Sequence, residues 1–163
     1  MSQRAASVDR VALHLLNAFS TRMTDAIAAR SISMLRIAIG IVFLWFGALK
    51  LIPGFSPAEA LAGKTILMLT FGLVKPAVSV PVLGLVECVI GACLMTGWKM
   101  RFALAMLFVQ MAGTLTPLVL FPHETFIAMP FEPNLTGQYI LKNMVLITGA
   151  IVVACSVRQQ QTH

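Results

Sequence analysis

The sequence predicts an all-α membrane protein: a bundle of four transmembrane helices, with an N-terminal amphipathic surface helix and a short interfacial helix between the first and second spans. Of the 163 residues, 58% are hydrophobic and 11% are charged, whereas soluble domains carry about 25% charged residues. Apolar runs of about 20 residues, enough to cross a hydrocarbon core of about 30 Å, occur four times. Lysines and arginines stand at the ends of these runs, as at the flanks of membrane spans.

Residues 1–31 are the predicted surface helix. Apolar side chains recur every four residues, which places them in one stripe on a helix: Val11, Leu15, Phe19, Met23 and Ile27. Arginines lie beside this stripe, a pattern typical of helices that lie on a membrane surface. We therefore expect this segment to rest on the cytoplasmic side of the membrane rather than to cross it.

The membrane domain covers residues 32–157, and a tail follows at 158–163. The first span is expected to end before Pro53, because proline cannot continue a helix. Only Lys99 and Met100 separate the second and third spans, so these two helices form an antiparallel hairpin. The spans are expected at about 32–52, 80–98, 101–121 and 137–157.

A shorter apolar stretch lies between the first two spans, at residues 65–74. Its length of about ten residues is too short to cross the hydrocarbon core. We expect a helix that is interfacial or half inserted and that ends before Pro76, since the residue before a proline avoids the helical conformation. A fifth crossing is the alternative.

The distribution of positive charge predicts the orientation. Eight lysines or arginines fall on one side of the spans and two on the other, with two more inside spans. Because cytoplasmic flanks carry the excess of these residues, we expect both termini in the cytoplasm. The positive charges form no patch with aromatic residues, so the expected partner is the lipid bilayer rather than nucleic acid. The eight are Arg4, Arg10, Arg22, Arg30, Arg36, Lys99, Arg101 and Arg158.

The large polar side chains inside the spans all fall in the outer half of the membrane in this orientation. Glu87 shares a helical stripe with Gly84 and Gly91, and small residues mark close contact between membrane helices. We therefore expect Glu87 to face other helices, with Lys142 or Lys50 as its partner. The candidate ligand-binding residues around it are Lys50, Gln110, Thr114, Gln138, Lys142 and Asn143.

Two interpretations of Glu87 remain open. In the first, it forms a structural ion pair that fixes packing, although desolvation of both ions can offset their attraction. In the second, it is the proton acceptor of an outward-facing pocket, since ionisable groups inside membranes are candidate functional sites. The cysteines Cys88, Cys93 and Cys155 have no metal-ligand spacing, so no metal site is expected.

Three segments of the chain carry a family resemblance: LRIAIGIVFLWFGALKL in the first span, ECVIGACLMTGWKMRFALA across the second and third, and TGQYILKNMVLITGA in the fourth. Over about residues 32–156 the chain resembles the DoxX-like family of small four-helix membrane proteins. The resemblance implies a multi-pass protein of the plasma membrane. The polar positions that match the family pattern are Arg36, Lys50, Glu87, Arg101, Lys142 and Asn143.

For some members the resemblance also implies partnership with redox proteins, including a thiosulfate:quinone oxidoreductase, so quinone is the implied cofactor. The cysteine pair through which some redox-associated relatives work has no counterpart here. Our first hypothesis is a redox-associated membrane subunit, linked to a quinone oxidoreductase, that binds a quinone or a small oxyanion; its partner would be a redox protein or a second copy. The alternatives are a non-catalytic assembly or scaffold protein with a structural ion pair, and a small proton-coupled transporter.

Overall fold

The computed structural model describes the backbone of residues 2–56 and 59–159, and the side chains of residues 24–25, 27–28, 30–56 and 59–158. The chain divides into two units, residues 1–34 and 35–163. The elements in chain order are α1 (Ser2–Leu51), α2 (Glu59–Leu69), α3 (Pro76–Thr96), α4 (Met100–Leu115), α5 (Pro117–Leu120), α6 (Pro122–Thr125), β1 (Phe126–Ala128), β2 (Glu132–Pro133) and α7 (Leu135–Gln159).

Within the residues that the structure describes, four helical segments are long and apolar enough to cross a bilayer, which confirms the all-α prediction with four spans. Each contains 21 to 24 residues, which at about 1.5 Å per residue is enough for a hydrocarbon core of about 30 Å. Their bounds lie within a few residues of those expected from the sequence. They are Arg30–Leu51, Pro76–Thr96, Met100–Leu120 and Leu135–Arg158.

Unit 1 contains the first part of α1, which begins at Ser2. Four residues of the expected apolar stripe, Val11, Leu15, Phe19 and Met23, have side chains outside the described residues, and Ile27 is exposed. The placement of this segment on a membrane surface stays a prediction. The end of the tail, residues 160–163, also lies outside the described residues.

Unit 2 is a ring of four spans in which each span packs against its neighbours in the chain. Residues of α1 contact α3 through two pairs of glycines, and α3 contacts α4, which contacts α7. The ring closes where Gly149 of α7 faces Leu35 and Ile39 of α1. The buried residues at its centre are apolar: Ile39, Phe43, Ile90, Cys93, Leu94, Ala103, Leu104, Leu107, Met111, Ala150 and Val153.

The two ends of the bundle differ. At one end, called here the loop end, α1 finishes at Leu51 while α3 and α7 begin. A two-stranded antiparallel sheet, β1 with β2, lies at this end between the third and fourth spans. At the opposite end, called the turn end, α3 passes directly into α4 through Gly97 and Lys99, both in the left-handed region with φ of 81° and 45°.

The helix between the first two spans, α2, lies earlier in the chain than the apolar stretch at residues 65–74. It ends before Pro76, as expected, and its last residue is Leu69, because Phe71 and Gly72 adopt left-handed backbone conformations with φ of 52° and 83°. With 11 residues, α2 is about 16 Å long and cannot form a fifth crossing. It packs on the start of α3, where Gly63 lies against Pro76.

The third span is interrupted by a proline. Pro117 has no N–H to donate to the carbonyl four residues earlier, so α4 ends at Leu115 and α5 begins at the proline. The hydroxyl of Thr116 donates to the Gly113 carbonyl at 2.6 Å and so satisfies the freed acceptor. The span can therefore bend at this point while its backbone stays paired.

The contact between α1 and α3 depends on glycines spaced seven residues apart on both helices, Gly40 and Gly47 on α1 and Gly84 and Gly91 on α3. A methyl group on Gly91 would lie 2.6 Å from the carbonyl oxygen of Gly40 and 2.6 Å from the amide nitrogen of Leu44. Both atoms belong to backbone, so neither can move aside. Close packing of two membrane helices thus requires glycine at these positions.

We expect Gly91→Ala to lower the free energy of unfolding by about 1–3 kcal/mol, the typical cost of overpacking a well-packed interior. The matched control is Gly113→Ala, because no described atom beyond its chain neighbours and its own helix backbone lies within 4 Å of the position its methyl group would take. This variant should be neutral or slightly stabilising, since alanine is the better helix former. Thermal unfolding in detergent measures both; equal losses in the two variants would contradict the packing role of Gly91.

Candidate functional site: a buried carboxylate shared by three spans

Glu87 lies near the middle of α3, and its side chain points into the bundle. It is eleven residues beyond Pro76, about 16 Å along the helix axis. Only 6% of the residue is exposed. A carboxylate in such surroundings is stable only when charges or hydrogen bonds of other groups replace the lost water.

Lys50 supplies the opposite charge. Its ammonium nitrogen Nζ lies 2.7 Å from Glu87 Oε2, and only 7% of Lys50 is exposed. The same ammonium donates to the carbonyl of Phe46, one turn earlier in α1, at 3.4 Å. The Lys50–Glu87 contact is a charge-assisted hydrogen bond between two spans, and the surrounding protein shields it from solvent.

The glycines of the α1–α3 contact make room for both ions. A methyl group on Gly47 would lie 2.8 Å from the Glu87 Cβ, and one on Gly84 would lie 2.9 Å from the Lys50 Cβ. Because the two helices run in opposite directions, Lys50 lies on the loop-end side of this glycine pair and Glu87 on the other side. The lysine side chain therefore extends inward across Gly84 to reach the carboxylate.

Gln110 of α4 completes the cluster. Its amide Nε2 donates to Glu87 Oε1 at 2.6 Å, so each carboxylate oxygen accepts a hydrogen bond from a different helix. The residue is only 9% exposed, and its carbonyl oxygen Oε1 is buried without a hydrogen-bond partner among the described residues. The Lys50–Glu87–Gln110 cluster thus has no net formal charge and one unused acceptor.

The fourth span does not contribute the partner of Glu87 that the sequence suggested. Lys142 is exposed, and its Nζ lies over the Tyr139 ring, 5.2 Å from the centroid. The predicted pairing of Glu87 with Lys142 is therefore wrong, and the pairing with Lys50 is the one that forms. The reason is helical phase: Lys142 lies on a face of α7 that does not turn toward α3.

Three further candidates also lie outside the cluster. Gln138 is exposed and donates to the Pro133 carbonyl at 3.3 Å, next to the start of α7. Thr114 donates to the Met111 carbonyl of its own helix at 2.9 Å. Asn143 is half-buried on α7 and makes no hydrogen bond to Glu87. The expectation that all of these side chains share one site is corrected to the three residues Lys50, Glu87 and Gln110.

The sequence reasoning missed a second buried polar group, Ser79. It lies in the first turn of α3, is 4% exposed, and its hydroxyl oxygen has no hydrogen-bond partner among the described residues. The signal available in the sequence was the spacing of eight residues between Ser79 and Glu87, which places their side chains about 80° apart around the helix axis.

A pair of charges near the loop end was missed as well. Lys64 of α2 forms an ion pair with Glu124 of α6 and also lies over the Phe121 ring, 4.6 Å from its centroid. About half of each charged side chain is exposed, so this pair contributes little stability. It does connect α2 to the segment that follows the third span.

At the turn end, Arg36 lies across the α3–α4 connection. Its guanidinium is next to Gly97, at the carboxyl end of α3, where the helix dipole favours a positive charge. Arg101, another position that matches the family pattern, is exposed.

Cys88, Cys93 and Cys155 are free thiols, and the described residues contain no group of three or more His, Cys, Asp or Glu side chains that could hold a metal ion.

The family model for DoxX matches residues 31–122, which cover three of the four spans and all three members of the Lys50–Glu87–Gln110 cluster. Curated proteins and solved structures give no match.

We expect Lys50→Met to lower the free energy of unfolding by about 3–5 kcal/mol, because it leaves a buried carboxylate without its counter-charge. Adding Glu87→Leu to that variant should recover part of the loss, since apolar residues often replace a buried ion pair at little cost. The matched control is Lys142→Met, which should change stability by less than about 0.5 kcal/mol. Unfolding in detergent measures all three, and an equal loss in Lys142→Met would refute the pairing with Lys50.

Proposed function

The chain belongs to the DoxX family of small integral membrane proteins, and on that premise we propose that it is a redox-associated membrane subunit that holds a quinone head group at the Lys50–Glu87–Gln110 cluster. One observation carries the proposal: Gln110 Oε1 is a buried acceptor with no hydrogen-bond partner in the described part of the chain, next to a buried ion pair. Buried polar atoms in native proteins are nearly always paired, so an unpaired one calls for a missing partner.

The donors and acceptors of the cluster fit a quinone head group. The Lys50 ammonium has three N–H groups, of which two are used by Glu87 and Phe46, so one is left for a quinone carbonyl oxygen. Gln110 Oε1 would accept a hydrogen bond from a hydroxyl of the reduced form. Glu87 is the group that can hold a proton. When bound, the quinone supplies the ability to accept electrons together with protons.

Charge favours a quinone over a small oxyanion. The Lys50–Glu87 pair already balances to zero, so an oxyanion would add an uncompensated negative charge to a buried site, which is costly. A quinone head group is neutral and needs only hydrogen-bond partners. Lys142, which the sequence offered as a ligand-binding residue, is exposed on α7 and adds no positive charge to the cluster.

The orientation is part of the proposal. We propose that the protein resides in the plasma membrane with both termini in the cytoplasm, which follows from the excess of lysine and arginine expected at the turn end and the N-terminus. The loop end, with the two-stranded sheet and α2, then faces outward. A redox protein or a second copy of the chain would bind the subunit within this membrane or at its surface.

A second candidate function, a non-catalytic assembly or scaffold subunit, is favoured by a different observation. Both oxygens of the Glu87 carboxylate are already taken by Lys50 and Gln110, and all three residues are at least nine-tenths buried. A cluster with both carboxylate oxygens paired is sufficient to fix how three helices pack without any ligand. The proton-coupled transporter stays a prediction. No contact of the cluster favours it over the quinone-binding subunit or the scaffold subunit.

Quinone retention tests the first candidate. The protein, purified in mild detergent from native membranes, should carry a stoichiometric quinone that organic extraction and chromatography detect. Glu87→Gln should abolish this retention, and Gln110→Leu should reduce it at least tenfold, which corresponds to about 1.4 kcal/mol of binding free energy. Lys142→Met is the matched control and should retain quinone at the wild-type level, because its ammonium lies outside the cluster.

The scaffold function predicts the opposite pattern. Glu87→Gln would lower the unfolding temperature, the wild-type protein would carry no quinone, and a larger membrane partner would co-purify with it. Wild-type protein without quinone, or a Glu87→Gln variant that still retains it, would contradict the quinone site.

A further inference from the structure

We propose that the turn between α2 and α3, residues 70–74, is inserted into the bilayer interface, with the side chains of Phe71 and Leu73 among lipid acyl chains. The partner is the lipid itself rather than another protein. This inference is independent of the quinone proposal, because it concerns a segment that makes no contact with the Lys50–Glu87–Gln110 cluster.

The first observation is the exposure of two large apolar side chains. Phe71 is 94% exposed and Leu73 is 85% exposed, so the rest of the chain covers neither. In water, leaving each such side chain uncovered forfeits about 1.5–3 kcal/mol of burial energy. Placed in the membrane interface, both would bury their apolar surface without any change in the protein.

The backbone at Phe71 points to the same conclusion. Its φ of 52° lies in the left-handed region, which costs a residue other than glycine roughly 1–2 kcal/mol. If the turn served only to end α2 in water, glycine or asparagine would adopt this backbone conformation at a lower energetic cost. A phenylalanine that is both strained and directed away from the protein is favourable when its ring gains apolar surroundings outside the chain.

The second, independent observation is that the turn satisfies its own backbone donors. Every N–H from residue 70 to residue 74 has an acceptor, either in the last turn of α2 or at Thr70. Paired donors lower the cost of moving irregular backbone into a less polar region. The pairs are Thr70 N–H to Ile66 O at 2.9 Å, Phe71 to Met68 O at 3.1 Å, Gly72 to Leu67 O at 2.8 Å, Leu73 to Thr70 O at 3.0 Å and Val74 to Thr70 Oγ1 at 3.3 Å.

The turn is also continuous with a surface that must face lipid. The span Pro76–Thr96 begins two residues after the turn, so the turn lies at the hydrocarbon boundary. Val78 and Val82 on the first turns of α3 are each more than half exposed and extend the same apolar surface. Lys75 is exposed between the turn and Pro76, where a lysine can keep its stem in the apolar layer and extend its ammonium toward phosphates.

Tryptophan fluorescence tests the placement. The test variant is Phe71→Trp in a chain whose two tryptophans are replaced by Trp45→Phe and Trp98→Phe. It is reconstituted in phosphatidylcholine vesicles that carry bromine either near the head group or deep in the acyl chain. We expect blue-shifted emission, at least twofold stronger quenching by the shallow bromine than by the deep one, and protection from aqueous iodide.

The matched control keeps Trp45 and carries only Trp98→Phe. Trp45 is exposed within the first span, six residues before its end at Leu51 and so about 9 Å below it along the helix, and the deep bromine should therefore quench it more strongly. If Phe71→Trp does not fold, Leu73→Trp in the same background gives the same readout at a residue without the left-handed backbone. Emission and iodide quenching equal to those of N-acetyltryptophanamide in water, without quenching by brominated lipid, would overturn the inference; that result would indicate a turn in water or a missing protein partner.

Discussion

A carboxylate in the middle of a membrane span is tolerated only if its charge is matched inside the protein, and the Lys50–Glu87 contact does this at a distance of 2.7 Å. Gln110 adds a hydrogen bond from a third helix at 2.6 Å. Three of the four spans therefore meet at one carboxylate. Their rotations about their own axes are coupled, because turning any one of them would remove a partner from a group that cannot reach water.

The same constraint accounts for the glycines. Gly47 lies opposite the Cβ of Glu87, and Gly84 lies opposite the Cβ of Lys50, so each ion of the pair occupies space that a glycine on the facing helix leaves free. Larger residues would separate α1 from α3 and lengthen the ion pair. The ion pair thus forms only because the two helices pack closely. Van der Waals packing and interhelical polar contacts are also what hold membrane helices together in general.

The sequence predicted the spans well because length and hydropathy decide whether a helix can cross a bilayer. It also placed Gly84, Glu87 and Gly91 on one inward stripe, since small residues and a carboxylate at helical spacing both favour a protein-facing surface. Lys50 and Gln110 were candidates because they are large polar side chains inside spans, in the half of the membrane where Glu87 was expected. Within the part of the chain that the structure describes, the sequence did not predict the two-stranded sheet, whose short strands have no clear alternation.

The contribution of α7 could not be predicted from periodicity alone. The fourth span has two polar ridges, and both Gln138 with Lys142 and Tyr139 with Asn143 satisfy the same spacing. Which ridge faces inward depends on the order of helices around the ring, and α7 packs against α4 and α1 rather than α3. Ser79 escaped notice because a lone serine in a helical first turn is ordinarily a surface residue. Its buried hydroxyl is a property of how the spans and α2 pack at the loop end.

Infrared difference spectroscopy of the Glu87 carboxyl group tests the pairing most directly. The Glu87 band, identified by its loss in Glu87→Gln, is expected to be that of an ionised carboxylate in the wild-type protein at neutral pH. Replacing Lys50 by methionine should convert it to the carbonyl band of a protonated acid, since a buried carboxylate without a counter-ion takes up a proton. Replacing Lys142 by methionine should leave the carboxylate band in place. A protonated Glu87 in the wild-type protein, or conversion by the Lys142 substitution instead, would contradict the Lys50–Glu87 ion pair as the interaction that organises the bundle.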